Sequence, residues 1–294
     1  MRIVLDKLGV DKYFFSKWFF KTASLCPLVL SVAACTPTPQ GSALQEQSSS
    51  SESVSSASSS NGPVSAPGSG LSNVNLNSLE IEKIIKNAMN VAYGSNNFDS
   101  SRNCWKHEFQ AGSELLDYCM IGAVSKIFTD ADGTKVYVQA HSDPQAEIYS
   151  QVDPGLEGLF VVGVGDDKKI KMLAAKPAID MGQAGDCGCL DAKVIQVGPE
   201  RYGWLSTVGG IWQGIQVTRY SLQVPAGGEI REVSGIPRVS ENAASEINDL
   251  NVKVDGQVVA GMYPLEVTRK RGETKLETRL VAYDEAKGIY PWDP

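Results

Sequence analysis

The sequence predicts a mainly β fold, an antiparallel sandwich or barrel-like sheet with one helix at its N-terminal end, and α+β as the alternative. Three observations lead there. Beyond about residue 95 the apolar residues fall in short runs separated by Gly, Pro, Asn and Asp turn signals. The rhythm of strands alternating with long helices that marks a parallel sheet is not seen. One segment near residue 80 carries the 3.6-residue apolar period of a packed helix.

That helix is expected from Ser78 to about Tyr93. Asn77 can cap it, Glu80 reaches back from three residues on, and Gly94 supplies the stop. Leu79, Ile81, Ile84, Ile85, Ala88, Met89 and Ala92 lie largely on one face, so the helix has to pack on something. Residues 120–128 and 134–140 read as strands joined through Thr129-Asp130-Ala131-Asp132-Gly133. Residues 159–164 and 170–175 flank the turn Gly165-Asp166-Asp167-Lys168. Residues 192–197, 202–208 and 214–224 follow, separated by Gly198-Pro199 and Gly209-Gly210.

In 214–224 the apolar phase changes: Ile215 and Val217 point one way, Tyr220, Leu222 and Val224 the other. Either a β-bulge near Thr218 or Arg219, or burial on both faces, is expected. Residues 240–247 read as one or two helical turns. Residues 252–254 and 258–262 bracket Asp255-Gly256 as a short hairpin. A last hairpin, 265–270 and 274–283, turns at Arg271-Gly272-Glu273, with Leu265 and Val267 on one face and Leu276, Leu280 and Ala282 on another.

Ahead of this domain, expected at 73–294, the chain changes character. Arg2, Lys7, Lys12, Lys17 and Lys21 form a positive region, and residues 22–34 form an apolar run of about 13 residues, too short to span a bilayer. The run ends in small residues at Val32-Ala33-Ala34-Cys35, which resembles the lipobox of bacterial lipoprotein precursors. Bulky Leu25 makes Cys26 a poor rival. The resemblance covers about 35 of 294 residues. It implies a signal peptide at 1–34, a lipid anchor on Cys35, and a membrane reached through that N-terminal lipid. Thr36, where an Asp commonly retains such proteins in the inner membrane, favours the outer membrane. Acyl chains contribute about 0.8 kcal/mol per buried methylene, so two or three make a lasting anchor.

Residues 36–72 are mostly Ser, Pro, Gly and Gln and cannot bury enough apolar surface to fold, so a disordered spacer is expected. As a flexible coil it reaches roughly 30–37 Å. Without residues 1–34 the chain has 22 basic against 32 acidic residues, near −10. Such a domain has no electrostatic footprint for nucleic acid. The basic cluster Arg269-Lys270-Arg271 reads as a solvated hairpin tip.

Cysteine is the clearest chemical signal. With Cys26 removed and Cys35 acylated, Cys104, Cys119, Cys187 and Cys189 remain, an even number that in an exported domain means disulfides. Four cysteines allow three connectivities. Cys104–Cys119 is favoured, because it closes a loop of about 15 residues. Cys187 and Cys189 would then close on each other across Gly188; the alternative pairs each of them with Cys104 or Cys119. The sharper reading brings three sulfurs and His107 around Zn²⁺ or Cu⁺, although neither spacing is a strong metal motif.

Catalytic patterns are sparse. His107 and His141 are the only histidines, and none of the common hydrolase, zinc-protease or P-loop motifs occurs. His141-Ser142-Asp143 holds triad residue types, but sequence neighbours rarely meet in triad geometry. Asp130 and Asp132 before Gly133 fail the calcium-loop spacing. Asp143, Asp153, Asp166, Asp167 and Asp186 are candidates for a glycan-cleaving carboxylate pair, with solvated loops as the default. Tyr202-Gly203-Trp204 and Ile211-Trp212, with Trp105 and Trp292, form either a sugar platform or core. The expectation is therefore a non-enzymatic binding or scaffolding lipoprotein whose partner is an envelope protein or glycan. An envelope hydrolase and a metal- or redox-handling protein are the rivals, and no cofactor is implied.

Overall fold

A computed structural model describes residues 76–130, 133–212, 215–239 and 245–292. The signal, Cys35, the spacer, Asp132 and residues 240–244 lie outside them. The described chain is mostly strand, and its sheets stack as in a sandwich.

Helix α1 spans Ser78–Tyr93. Its first turn is closed reciprocally: the Asn77 side chain accepts from the Glu80 backbone N–H, and Glu80 accepts from that of Asn77, both at 3.0 Å. Two hydrogen bonds pin the other end. Tyr93 donates to the Pro177 carbonyl at 2.6 Å, and the Trp105 indole donates to Asn90 at 2.8 Å.

The strands are β1 (Phe98–Asp99), β2 (Cys104–Ala111), β3 (Glu114–Asp130), β4 (Gly133–Ser142), β5 (Gly155–Val164), β6 (Ile170–Met181), β7 (Lys193–Gly198), β8 (Arg201–Trp212), β9 (Ile215–Ala226), β10 (Glu229–Glu232) and β11 (Pro237–Val239) in one 11-stranded sheet. The first six form an antiparallel meander. Beyond β6 the order runs β10, β9, β8, β7, joined to β6 only by the short parallel pairing of Glu229 with Ala175. That thin seam lets the second half fold over the first. Phe128 of β3 stacks on Tyr202 of β8 at 3.8 Å between centroids, and Tyr137 of β4 meets Trp204 at 4.9 Å. A separate three-stranded sheet holds β12 (Glu246–Val252), β13 (Leu265–Arg271) and β14 (Thr274–Val281) in that order.

Three cores fill the gaps between layers. Ile84, Ala88, Met89 and Tyr93 of α1 pack on Met120, Val138, Phe160 and Val162. The opposite face of the same strands, with Tyr137, Leu159 and Val161, packs on Trp204 and Val208. Leu222 and Val224 on the back of β9 pack on Leu265, Val267 and Val281 of the small sheet. Strand β5 is thus covered on both sides, which is why its sequence is nearly continuously apolar.

Several expectations change. Residues 246 and 247 are strand, not helix, because β13 offers Glu246 and Ile247 a complete ladder opposite Arg271 and Lys270. Asp255-Gly256 does turn the chain, with the Gly256 N–H donating to Lys253. Val252 ends β12 opposite Leu265, but the flanks do not pair with each other as a hairpin: the one bridge there joins Val259 and Met262, and Val254 and Val258 stay exposed. The phase change in β9 comes from burial on both faces: its register against β8 is continuous from Trp204–Gln223 to Trp212–Ile215. The shift opposite Thr218 and Arg219 belongs to β11. Strand β2 has no apolar run to announce it, since Lys106 and other polar residues alternate along it.

Candidate functional site

The most unusual chemistry lies on the inner wall, where the sheet folds over itself. Along β5 every residue is apolar or Gly except Glu157, which is 0% exposed. Its position faces His141 on β4 and Ile179 on β6. Gln139, two residues from His141 and on the same face, donates through Nε2 to Glu157 Oε1 at 2.6 Å and to the Cys189 carbonyl at 2.9 Å. The other oxygen, Oε2, is buried with no hydrogen-bond partner among the described residues.

Burial raises the Glu157 carboxyl from its ordinary 4.5 to about 7, against the Gln139 hydrogen bond, which lowers it. The charge of Glu232 adds to the rise, that of Lys176 opposes it, and Asp191 adds again. Burial likewise pushes the His141 imidazole below its usual value, with Asp143 and Asp186 pulling the other way. Glu157 is therefore a neutral acid at weakly acidic pH and half-ionised near neutrality.

A second buried polar side chain lies in the half of the sheet that folds over. Gln223 of β9, also 0% exposed, lies opposite Trp204 on β8 and Glu232 on β10. Its Nε2 donates to Ser221 at 3.0 Å, while its Oε1 has no partner among the described residues. Ser221 in turn faces buried Ser206, and Glu232 pairs with Arg219. Two buried side-chain oxygens, one of the Glu157 carboxyl and one of the Gln223 amide, thus have no hydrogen-bond partner among the described residues; the carboxyl can donate while it holds its proton and accepts once ionised, and the amide oxygen only accepts.

The loop after β6 closes this end. Cys187 and Cys189 are disulfide-bonded with Cα atoms 5.1 Å apart, and both are buried. The chain bends into that ring through left-handed Gly182, Ala184, Gly185 and Gly188. Buried Ser142 locks the loop on the sheet, donating to the Gly185 carbonyl at 2.7 Å and accepting from the Leu156 N–H at 2.8 Å. Gly155 has to be glycine, because a Cβ there would collide with the Cys187 backbone nitrogen. Further along β5, past Leu159, Val161 enters an open cleft of about 230 Å³ shared with Lys135, Tyr137, Glu200, Arg201 and Tyr202.

The residues singled out in the sequence are mostly elsewhere. Cys104 and Cys119 form the second disulfide, Cα atoms 5.5 Å apart, across β2 and β3. The four thiols are thus consumed in pairs, and His107 packs edge-on against Tyr93 at 5.2 Å. Among the described residues no group of three or more His, Cys, Asp and Glu could hold a metal ion. Ser142 serves the loop, and Asp143 accepts from the Gln145 N–H, so the His141-Ser142-Asp143 string is not brought together as a triad. Asp153 accepts from the Ser150 N–H, Asp167 pairs with Lys169, and Asp186 caps Gly188. Trp105 and Trp204 are core, and Trp292 lies under the Arg279 guanidinium at 5.5 Å.

Sequence reasoning missed Glu157, Gln139 and Gln223. The available signal was a lone glutamate inside Gly-Leu-Glu-Gly-Leu-Phe-Val-Val, where a strand buried on both faces has no place for an unpaired charge. No family model, curated protein or solved structure matches the chain.

Proposed function

We propose that this chain is a lipid-tethered protein of the cell envelope that binds a small ligand, and that the inner wall around Glu157 and Gln223 is its site. One observation carries the binding reading: two fully buried side-chain oxygens, Glu157 Oε2 and Gln223 Oε1, have no hydrogen-bond partner among the described residues. A buried polar group without a partner costs about 1–3 kcal/mol, and a polar ligand that donates to the Gln223 amide oxygen, and accepts from the protonated Glu157 carboxyl or donates to its ionised form, would recover that energy. The location rests on different support. Val32-Ala33-Ala34-Cys35 has the form of a lipidation site, and two disulfides suit an oxidising compartment.

Each half has its own test. Cys35→Ala should move the protein from membrane to soluble fractions, and persistent pelleting at unchanged size would sink the tether. For the site, native mass spectrometry of protein gently extracted from its own envelope should show a bound species. The Glu157→Leu variant, checked for intact folding, should lose it. Equal occupancy in both proteins, or none in the wild type, would remove ligand binding from this wall.

A further inference from the structure

We infer that the edge of the small sheet is a self-association surface, on which β14 pairs antiparallel with β14 of a second copy. Strand β14 is the last strand of its sheet and is hydrogen-bonded to a neighbour, β13, on one side among the described strands. An unpaired edge carries a row of free N–H and C=O groups, and proteins usually blunt such edges with charge, proline or cover. This one carries Lys275, Glu277 and Arg279, yet between them it also presents apolar side chains to solvent: Leu280 is 61% exposed, Leu276 41%, and Ile247 of β12, on the same small sheet, 38%.

The sequence of β14, Thr-Lys-Leu-Glu-Thr-Arg-Leu-Val, selects the occupant. Glu277, Arg279 and Val281 alternate inward, while Leu276, Thr278 and Leu280 alternate outward. Directly opposed residues of an antiparallel pair share a face, so only in-phase registers are allowed. A two-fold axis through Thr278 sets Thr278 opposite itself, Glu277 opposite Arg279 of the second copy, and Leu276 opposite Leu280, the last two pairings each made twice. All three are favourable cross-strand combinations.

Moving the axis by one or two residues destroys the match. Centred on Glu277, the carboxylates oppose each other and Lys275 opposes Arg279. Centred on Arg279, the guanidinium groups oppose each other. Centred on Leu276, the pairing runs off the strand into the turn at Gly272. Within its own chain Glu277 already accepts from Arg279 and Arg269, so the pair across the axis extends an existing ion network rather than exposing a lone charge. An eight-residue edge is small, and the association expected is weak and reversible.

The two-fold supplies its own test. A single Thr278→Cys substitution places two thiols at cross-strand distance, within reach of a disulfide. On the full-length protein in membranes, mild oxidation should give a reducible band at twice the monomer mass. Thr274→Cys, four residues off the axis, should not. Adding Leu280→Lys or Arg279→Glu to Thr278→Cys should reduce the band several-fold, and adding Glu277→Arg to the latter should restore it. Thermal unfolding of each variant shows that the fold is intact. The proposal is overturned if Thr278→Cys links no more than Thr274→Cys, or if linking ignores the Leu280 and charge substitutions.

Discussion

Replacing Glu157 with Gln should stabilise the domain by about 3 kcal/mol at about pH 8 and leave it nearly unchanged at about pH 4. The sign follows from the carboxyl being raised, from 4.5 to about 7, on folding. Below 4.5 both folded and unfolded chains hold the proton, and Glu157 and Gln are equivalent. As pH climbs from 4.5 towards 7 the unfolded chain releases its proton while the folded chain keeps it, so stability falls through that window. Above 7 the loss is complete and constant. Gln copies the neutral acid, keeping an acceptor for Gln139 Nε2, and removes the slope.

The groups facing Glu157 do not reverse this sign: Gln139 and His141 come from β4, Lys176 from β6, Glu232 from β10, and Asp191 from the loop before β7. Urea unfolding of both proteins across pH 4 to 8 measures the effect. Parallel stability curves would show that Glu157 titrates as an ordinary carboxyl and is not held neutral by its wall.

Loss of the Cys104–Cys119 bond has an effect of similar size. Changing both residues to Ser should lower stability by about 3 kcal/mol, since the closed loop has about 15 residues and the bond acts mainly on the unfolded chain. The β2–β3 ladder from Trp105–Met120 to Ala111–Glu114 survives, so the fold should persist with a lower midpoint. The same model assigns only about 1 kcal/mol to Cys187–Cys189, whose ring spans two residues. Ser at those two positions should therefore be milder globally, yet disturb the Gln139 bond to the Cys189 carbonyl. Denaturant midpoints of the two double variants separate the cases: equal losses would mean that ring size does not set the contribution.

Much of the fold was legible in the residues. The capping pair Asn77 and Glu80 with Gly94 delimits α1, and the hairpins about Gly165-Asp166 and Arg271-Gly272 stand where their turn residues place them. Both are local signals, in which a backbone conformation is dictated by side chains within four residues. Strand β2 and the strand character of Glu246-Ile247 were hidden because their partners, β3 and β13, supply the reason for extension. Leu276 and Leu280 were read as a face, and only the fold shows that nothing in the described chain covers it.

The site divides along the same line. Sequence alone determined the kind of protein to expect: a β-rich acidic domain with four cysteines behind a lipobox-like signal and a serine-rich spacer. Those are properties of composition and near-neighbour pattern, which survive without knowledge of the fold. The tertiary structure decided what an isolated glutamate in an apolar strand means. Glu157, Gln139 and the Cys187–Cys189 loop come from three separate stretches and meet through the two hydrogen bonds of Gln139, while Gln223 lies on β9, beyond the thin β6–β10 seam. Burial, unlike strand or turn formation, is set by residues far away in the chain, and burial is what turns this carboxyl into an unusual acid.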